Sequence, residues 1–591
     1  MAAQSPPGSN SDEPDGSPHG LGVRLIRSTF AIAATGSLVL WLAQPPLQFG
    51  WLGWLAPLAW LVIARRPTTL RRGAYLQLWL AGGLYWLLAV HWVRLPHPLT
   101  PIGWGFLAAY LGCYLPAFVW LVRIAIRKLR SPLWVAAPVV WTGLELLQAH
   151  LFSGFSMGAL SHTQAFYPLV IQIADLLGAY GVSFVIMLTG SAVMSWLDRL
   201  LVASTQSAGT DSLPAAALAT RNQRRVLGAA VAAGCLILVL IYGRDSLTAT
   251  PSDQRELTVG LIQGNALANI WEANFDFAAR NHQIMDRHVA LSKQAVKQAA
   301  QQGKSIHLIV WPESMFRPPL VTYEGTATLP PNAGEGIGRL QQVTDSWIKQ
   351  LPVDLGVPLL VGGDRFDFRK SADPDLPRQE GYNSSLLISR TGELLATYDK
   401  THRVPFGEYI PLASHLPALY YLTPMQGGLR PGTGPVAMEI ALDGEPVTLS
   451  PNICYETVIP HVIRHQVATL ASAGTPPELL VNLTNNAWFW GSSELEMHLA
   501  CNIFRSIENR TPMAIAANGG LSGVIDDCGR VLALSQRQTE QTMVVDVPLA
   551  RRGTSPYTRY GDWFAGGCLI VCGLVAIIGL LKGERRMGSA E

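Results

Sequence analysis

Three residues of unlike chemistry each follow a short apolar run in the second half of the chain: Glu313 in IVWPES, Lys400 in YDKTHRVPFGEYIP and Cys454 in SPNICYET. A carboxylate that emerges where Pro312 stops a buried strand is placed to act as a general base. An ammonium beside it can donate to a developing oxyanion. The VTLS run leads through Pro451 and Asn452 to Cys454 and a helix start, a turn that presents a nucleophile; a helix N-terminus and a nearby ammonium both favour the thiolate. Taken singly, the same three residues also read as a surface glutamate, a solvated lysine and a buried structural thiol. The VPFGEYIP segment after Lys400 weakens that plain reading, because two prolines and a glycine fix its backbone and let Glu408 fold back toward Lys400.

Such side chains need a rigid scaffold. From Leu257 onward the sequence offers short β-rich runs at 257–263, 307–312, 358–363, 385–399, 447–450, 478–484, 513–519 and 522–534, with helix-like stretches at 276–302 and 494–510. Thr391-Gly392 and Cys528-Gly529 mark hairpins, so the region reads as a mixed α/β sandwich and not a Rossmann sheet. GxGxxG and GxxxxGK[ST] are both missing from the sequence, which argues against a nucleotide cofactor. The seven cysteines lack CxxC or Cys/His spacing, and Cys113, Cys235, Cys568 and Cys572 fall in apolar runs, so neither a metal site nor a disulfide framework is expected.

The rest of the chain has a different character. Of 591 residues, 49% are hydrophobic and 14% charged, which excludes a disordered chain and a freely soluble enzyme. The apolar excess lies in the first 245 residues and the last 30. Candidate membrane spans occur at 28–45, 48–64, 73–93, 102–122, 132–150, 179–197, 226–242 and 563–581, about eight in all. Every second loop is basic: Arg65, Arg66, Arg71 and Arg72; Arg123, Arg127, Lys128 and Arg130; Arg199, Arg221, Arg224 and Arg225. The positive-inside rule then puts those loops and both termini in the cytoplasm and the polar domain on the periplasmic side. The expected organisation is a cytoplasmic tail (1–24, Ser/Pro/Gly-rich and disordered), a seven-span bundle (25–245), an extramembrane α/β domain (255–550), a C-terminal span (560–582) and a short tail (583–591). Net charge of +3 gives no sign of a nucleic-acid partner.

WPES, DKTHRVPFGEY and ICYE resemble the three signature motifs of the nitrilase superfamily over about 290 residues, and with the flanking spans they resemble its membrane branch, the apolipoprotein N-acyltransferases. The resemblance implies an αββα sandwich with Glu313 as base, Lys400 as oxyanion donor and Cys454 as nucleophile. Glu408, Tyr455 and Glu456 would support them. IQGN followed by Trp271, and NNAWF with Asn485, Trp488 and Trp490, resemble further family elements expected to contact substrate, and IQIADLLGAYGVSF (171–184) has the family look within the bundle. Asn486 stands where the family commonly has Asp, Arg403 where a small or apolar residue is usual, and HLFSGFSMG (150–158) matches its counterpart only loosely.

The implied activity is transfer of a phospholipid acyl chain, through a Cys454 thioester, to the α-amine of a diacylglyceryl-cysteine at an apolipoprotein N-terminus. Long acyl chains on both substrates explain a catalytic domain fused to a bundle in the bilayer. A membrane-tethered amidase using water as acceptor is the alternative, although eight spans exceed what a tether requires. A transporter is disfavoured because the spans hold few ionisable residues, Glu145 being the main one. Trp271, the Ala-Leu-Tyr-Tyr-Leu run at 418–422, Met425 and Trp488-Phe489-Trp490 are expected to form a membrane-facing rim, with Gly427-Gly428 and Gly432 to Gly434 as hinges.

Overall fold

The computed structural model describes residues 28–205, 215–248, 254–267, 276–323, 334–369, 378–413, 415–416, 418–419, 428–550 and 553–581. The expected tails at 1–24 and 583–591, Trp271, Met425 and Gly427 lie outside the described residues.

Among the described residues thirteen strands form two sheets. In chain order they are β1 (Glu256–Gln263), β2 (Leu308–Val310), β3 (Phe316–Tyr323), β4 (Leu359–Arg369), β5 (Arg378–Ile388), β6 (Leu394–Asp399), β7 (Met438–Leu442), β8 (Glu445–Ile453), β9 (Leu479–Asn485), β10 (Met513–Asn518), β11 (Gly523–Ile525), β12 (Val531–Leu534) and β13 (Gln541–Pro548). The first sheet has the order β13-β1-β2-β4-β5-β6, with β3 pairing β4 off that path, and the second has the order β12-β11-β10-β9-β8-β7. In each sheet the central strands run parallel, β1 with β2 and β4, and β8 with β9 and β10; β3 also pairs parallel with β4, while the other flanking strands are antiparallel.

Strand alternation sends one set of side chains to each face. Val259, Leu261, Val310, Leu360 and Leu387 of the first sheet meet Leu449, Ile453, Val481, Leu483, Ala514 and Ala516 of the second in a closed apolar layer. On the outer face of the first sheet, Ile309, Trp311, Leu359, Val361 and Leu386 meet helices Phe277–Gln301 and Gly334–Leu355. Helices Pro460–Ser472 and Glu494–Asn509 cover the outer face of the second sheet, and their apolar residues share one core with the bundle. The layers are therefore αββα, as the resemblance implied.

Strands β3, β7 and β13 were not among the expected runs. β3 contains Pro318 and Pro319, which read as strand breakers; the strand survives at the sheet margin, where its register against β4 shifts between Phe316 and Leu320. Its residues after the prolines still alternate pairings with β4 from Leu320 to Tyr323.

All eight expected spans contain helix, but among the described residues only four stretches are long and apolar enough to cross a bilayer: Thr100–Arg127, Ala179–Leu197, Asn222–Thr248 and Trp563–Leu581. Eight spans are thus more than the structure supports. Thr29–Ala43 has 15 residues and Ala56–Arg65 has 10; at about 1.5 Å per residue both fall short of a hydrocarbon core of about 30 Å. Their ends are held by protein. Buried Arg123, counted from sequence as a basic loop residue, donates instead to the carbonyls of Ala64, Arg66 and Thr68 beyond the second of these helices. Glu145 accepts from Trp141 Nε1 and from the Leu160 N–H, both at 2.9 Å, so it ties a bundle helix to the turn Leu160–Gln164.

Candidate active site

Glu313 follows the C-terminal end of β2, Lys400 follows β6 and Cys454 follows β8. The strands belong to different sheets, and their carboxyl ends open at a common edge, where α/β sheets commonly hold their ligands. Gly362 on β4 makes this approach possible: a Cβ there would lie 2.5 Å from the Pro312 carbonyl oxygen and 2.6 Å from Glu313 Cα.

Lys400 is only 1% exposed, which a lysine tolerates only when it is paired. Its Nζ lies 2.8 Å from Glu408 Oε1 and 3.4 Å from Glu313 Oε1. Glu408 folds back as the sequence suggested, and its Oε2 accepts the Val404 N–H at 2.8 Å. Asn383 was not foreseen. From β5 its Nδ2 donates to Glu313 Oε1 at 2.7 Å and to Glu408 Oε1 at 3.1 Å, fixing the distance between the two carboxylates. The only sequence signal was a polar residue within a buried strand. Glu313 Oε2 accepts the backbone N–H of Asn485 at 2.9 Å, so Asn485 positions the Glu313 carboxylate through its main chain, and its side chain accepts from Asn518 Nδ2.

An ammonium with two carboxylate partners has a third N–H to offer a substrate oxyanion. Burial alone would lower the Lys400 pKa, but the charges of Glu408 and Glu313 outweigh it and lift it above the ordinary lysine value. Lys400 is a fixed cation.

Cys454 has φ of 49°, a left-handed conformation that costs energy for a residue with a Cβ. Glu456 holds the turn in place. Fully buried, it accepts from the Ile453 N–H at 2.7 Å, the Thr401 N–H at 2.8 Å, the His402 N–H at 3.0 Å and the Tyr398 hydroxyl at 2.8 Å. One carboxylate thereby joins the Cys454 turn to the loop that carries Lys400. The expected thiolate is not favoured at rest: burial, then the Glu313 charge, push the Cys454 pKa up, and Lys400 only partly offsets them. The thiol keeps its proton until a base removes it.

The Tyr455 hydroxyl donates to the Gly154 carbonyl at 2.8 Å, and its ring stacks on His402, whose Nε2 lies 2.9 Å from the Ser153 carbonyl. The loosely matching segment at 150–158 is thus in direct contact with the site. Phe489 packs on Trp92 of the bundle at 5.0 Å, Trp488 is half-buried and Trp490 is 53% exposed with φ of 51°. Exposed Phe406 and Leu412, unmarked by the sequence, lie on the loop after Lys400. Arg403 donates to the Leu429 carbonyl and lies over the Tyr409 ring, holding that same loop. Gly432 is pinned and not a free hinge: its N–H donates to the Lys400 carbonyl at 2.8 Å, and a Cβ would lie 2.1 Å from the Asp399 carbonyl.

Comparison with known proteins assigns both halves of the chain. The apolipoprotein N-acyltransferase N-terminal domain matches residues 36–192 and the carbon-nitrogen hydrolase domain matches residues 258–557. The apolipoprotein N-acyltransferase of Rhodopirellula baltica is 31% identical over 93% of this chain and 97% of its own length, and that of Geobacter metallireducens 31% over 84% of each. Among solved structures, an amidase of the nitrilase superfamily from Nesterenkonia AN1 aligns with 53% of this chain and 96% of its own at 18% identity and a TM-score of 0.33. Full-length relatedness across the bundle and the sandwich together means that this chain belongs to the apolipoprotein N-acyltransferase family.

Proposed function

We propose that the protein transfers an acyl chain from a membrane phospholipid, through a thioester on Cys454, to the N-terminal α-amine of a diacylglyceryl-cysteine. Membership of the family makes it an acyltransferase of lipoprotein maturation. The observation that carries the residue assignment is the buried Glu313–Lys400–Glu408 cluster facing a strained cysteine turn.

Glu313 takes the thiol proton as sulfur bonds to the ester carbonyl carbon. The carbonyl electrons become an oxyanion on the remaining Lys400 N–H. Collapse breaks the ester C–O bond, and the lysophospholipid leaves with the proton from Glu313. In the second half the α-amine attacks the thioester, Glu313 accepts its proton, and collapse expels the Cys454 thiolate, which is reprotonated. Amide and free enzyme result.

The bundle sits in the bacterial cytoplasmic membrane, with the 255–550 domain on the periplasmic side and both termini in the cytoplasm. Lipids reach the site past half-buried Trp488 and exposed Trp490, joined by exposed Phe406 and Leu412. Large apolar groups turned outward around a lipid-using site are costly unless a bilayer or an acyl chain covers them.

Mass spectrometry of the full-length protein in phospholipid vesicles tests this reading. A phospholipid-derived acyl adduct on Cys454, discharged to a triacylated product when a diacyl lipopeptide is added, is expected. Discharge only to free fatty acid in the presence of the lipopeptide would instead establish the water-using amidase. Trp490→Ala should impair long-chain donors more than short-chain, water-soluble esters; equal losses would remove the lipid-guide role.

A further inference from the structure

A second polar group packs against the Cys454 turn and takes no part in the steps above: Thr457, Asn486, Glu494 and His498, each no more than 3% exposed. His498 Nε2 lies 2.8 Å from Thr457 Oγ1 and 3.2 Å from the Cys454 carbonyl oxygen. The Thr457 hydroxyl is 3.3 Å from that same oxygen. On the other side of the ring, His498 Nδ1 lies 3.2 Å from Asn486 Nδ2, which also donates to Glu494 at 2.8 and 3.0 Å.

An amide nitrogen can donate but not accept. His498 Nδ1 must therefore be the acceptor, and the single proton of the neutral ring sits on Nε2, facing Thr457 and the Cys454 carbonyl. Glu494 keeps the amide turned this way: both of its oxygens lie within 3.0 Å of Asn486 Nδ2, and at least one of them accepts from the NH2 group whether or not the carboxyl is protonated. We propose that Asn486 and His498 are positioning residues: the Glu494–Asn486–His498 chain fixes the Nε2–H tautomer, and that proton, with the Thr457 hydroxyl, holds the Cys454 carbonyl and so keeps the nucleophile in its left-handed turn. The inference rests on Cys454 being the nucleophile.

Burial pushes the His498 pKa down to about 4, the Cys454 carbonyl opposing and the Lys400 charge assisting, so the ring is neutral across the working range. Glu494 on its own helix, the Cys454 thiol and the Lys400 ammonium are the ionisable groups that bear on His498. Those on the other packed elements are engaged elsewhere: Glu456 with Thr401, His461 with His150, Arg464 with the Thr558 carbonyl, Asp175 with Arg510 and Tyr557 with Asp562.

Asn486→Asp reverses the polarity at Nδ1. The new carboxylate beside Nδ1 favours the charged ring, so His498 in this variant becomes an imidazolium at higher pH than in the wild type; while it is charged, both nitrogens donate and the Cys454 carbonyl stays held. Once the ring is neutral, its proton remains on Nδ1 against the new carboxylate. Bare Nε2 then accepts a hydrogen bond from the Thr457 hydroxyl, and the carbonyl loses both donors.

Thioester formation on Cys454, followed by mass spectrometry on full-length protein in phospholipid vesicles, tests this between about pH 6 and pH 9. His498→Leu should slow acylation by ~10-fold or more with the donor KM nearly unchanged, and His498→Gln, whose amide can still donate to the carbonyl, should restore most of the rate. Asn486→Asp should approach the wild-type rate at the acid end and fall ~10-fold relative to it at the alkaline end. A wild-type rate in His498→Leu, or an Asn486→Asp profile that superimposes on the wild type, overturns the inference alone. Absence of any adduct in the wild type overturns the nucleophile assignment and this inference with it.

Discussion

Helix Phe277–Gln301 and helix Glu494–Asn509 each cover the outer face of one sheet, yet the first turns a polar side to water and the second turns only half-buried Glu496 to it. Along the first, buried Ile284, Met285, His288, Leu291, Ala295 and Ala299 recur at helical spacing between exposed polar residues. Along the second every residue from Glu494 to Asn509 except half-buried Glu496 is buried, because the sheet lies on one side and the bundle on the other. Charge on the first helix is solvated. On the second it must be paired inside the protein: Arg505 Nη2 donates to Glu508 Oε1 at 2.9 Å, and that oxygen also accepts the Ala179 N–H at 2.9 Å. The same layer of the fold is thus surface on one side and interior on the other, and the nucleophile turn packs on the interior one.

The largest effect belongs to the reaction centre that the bundle side carries. Cys454→Ser should reduce thioester formation by ~10³-fold or more, because a hydroxyl is a far poorer nucleophile with this base, while the thermal unfolding temperature stays at the wild-type value. Lys400→Arg, altering the charge supplied by the other sheet, should also lose most turnover, since a guanidinium cannot replace a compact ammonium between two carboxylates. Retained turnover in either variant would break the division of labour between the sheets.

Next is the interior ion pair. Arg505→Ala leaves Glu508 buried without its cation and should cost about 3–5 kcal/mol in unfolding free energy. A loss below about 1 kcal/mol would show that water reaches this layer after all.

Glu494 sharpens the same contrast through pH. Burial pushes its pKa up to about 8, with the Asn486 hydrogen bond opposing, against an ordinary value near 4.5. The folded state then holds a proton that the unfolded chain releases, so this contribution is complete below about pH 4.5 and is lost as pH rises through about 8. Glu494→Gln should flatten the decline of the unfolding temperature between these limits. An unchanged slope would mean that the carboxyl is solvated.

Two smaller changes bracket the comparison. Tyr455→Phe removes the hydrogen bond to Gly154 and should cost about 1 kcal/mol. Arg287→Ala, on the solvent-facing helix, breaks a partly exposed pair with Glu540 and should change stability by less than ~1 kcal/mol in a thermal melt.

The strand ends were readable because the signal there is local. Glu313 after IVWP, Lys400 after the β6 hairpin and Cys454 after β8 each sit next to the run that positions them, and Glu408 lies only eight residues from its partner. The span count was not readable in the same way. Thr29–Ala43 and Ala56–Arg65 are apolar enough to suggest membrane spans, but length and what caps a helix's ends decide whether it crosses, and the carbonyls beyond Ala56–Arg65 are met by Arg123 from about sixty residues away.

What the amino-acid order determines by itself is the chemistry available and the local scaffold: a base, an ammonium and a thiol, each at the end of an apolar strand, beside a set of apolar helices. Only the tertiary structure decides that Asn383 bridges two carboxylates, that Glu456 joins the Lys400 loop to the cysteine turn, that Cys454 rests as a thiol, and that His498 faces its carbonyl. These are consequences of sheet register and layer packing, which bring together residues 25 to 70 positions apart. A local pattern fixes which way a side chain points from its own strand or helix; it carries no information about what meets it there.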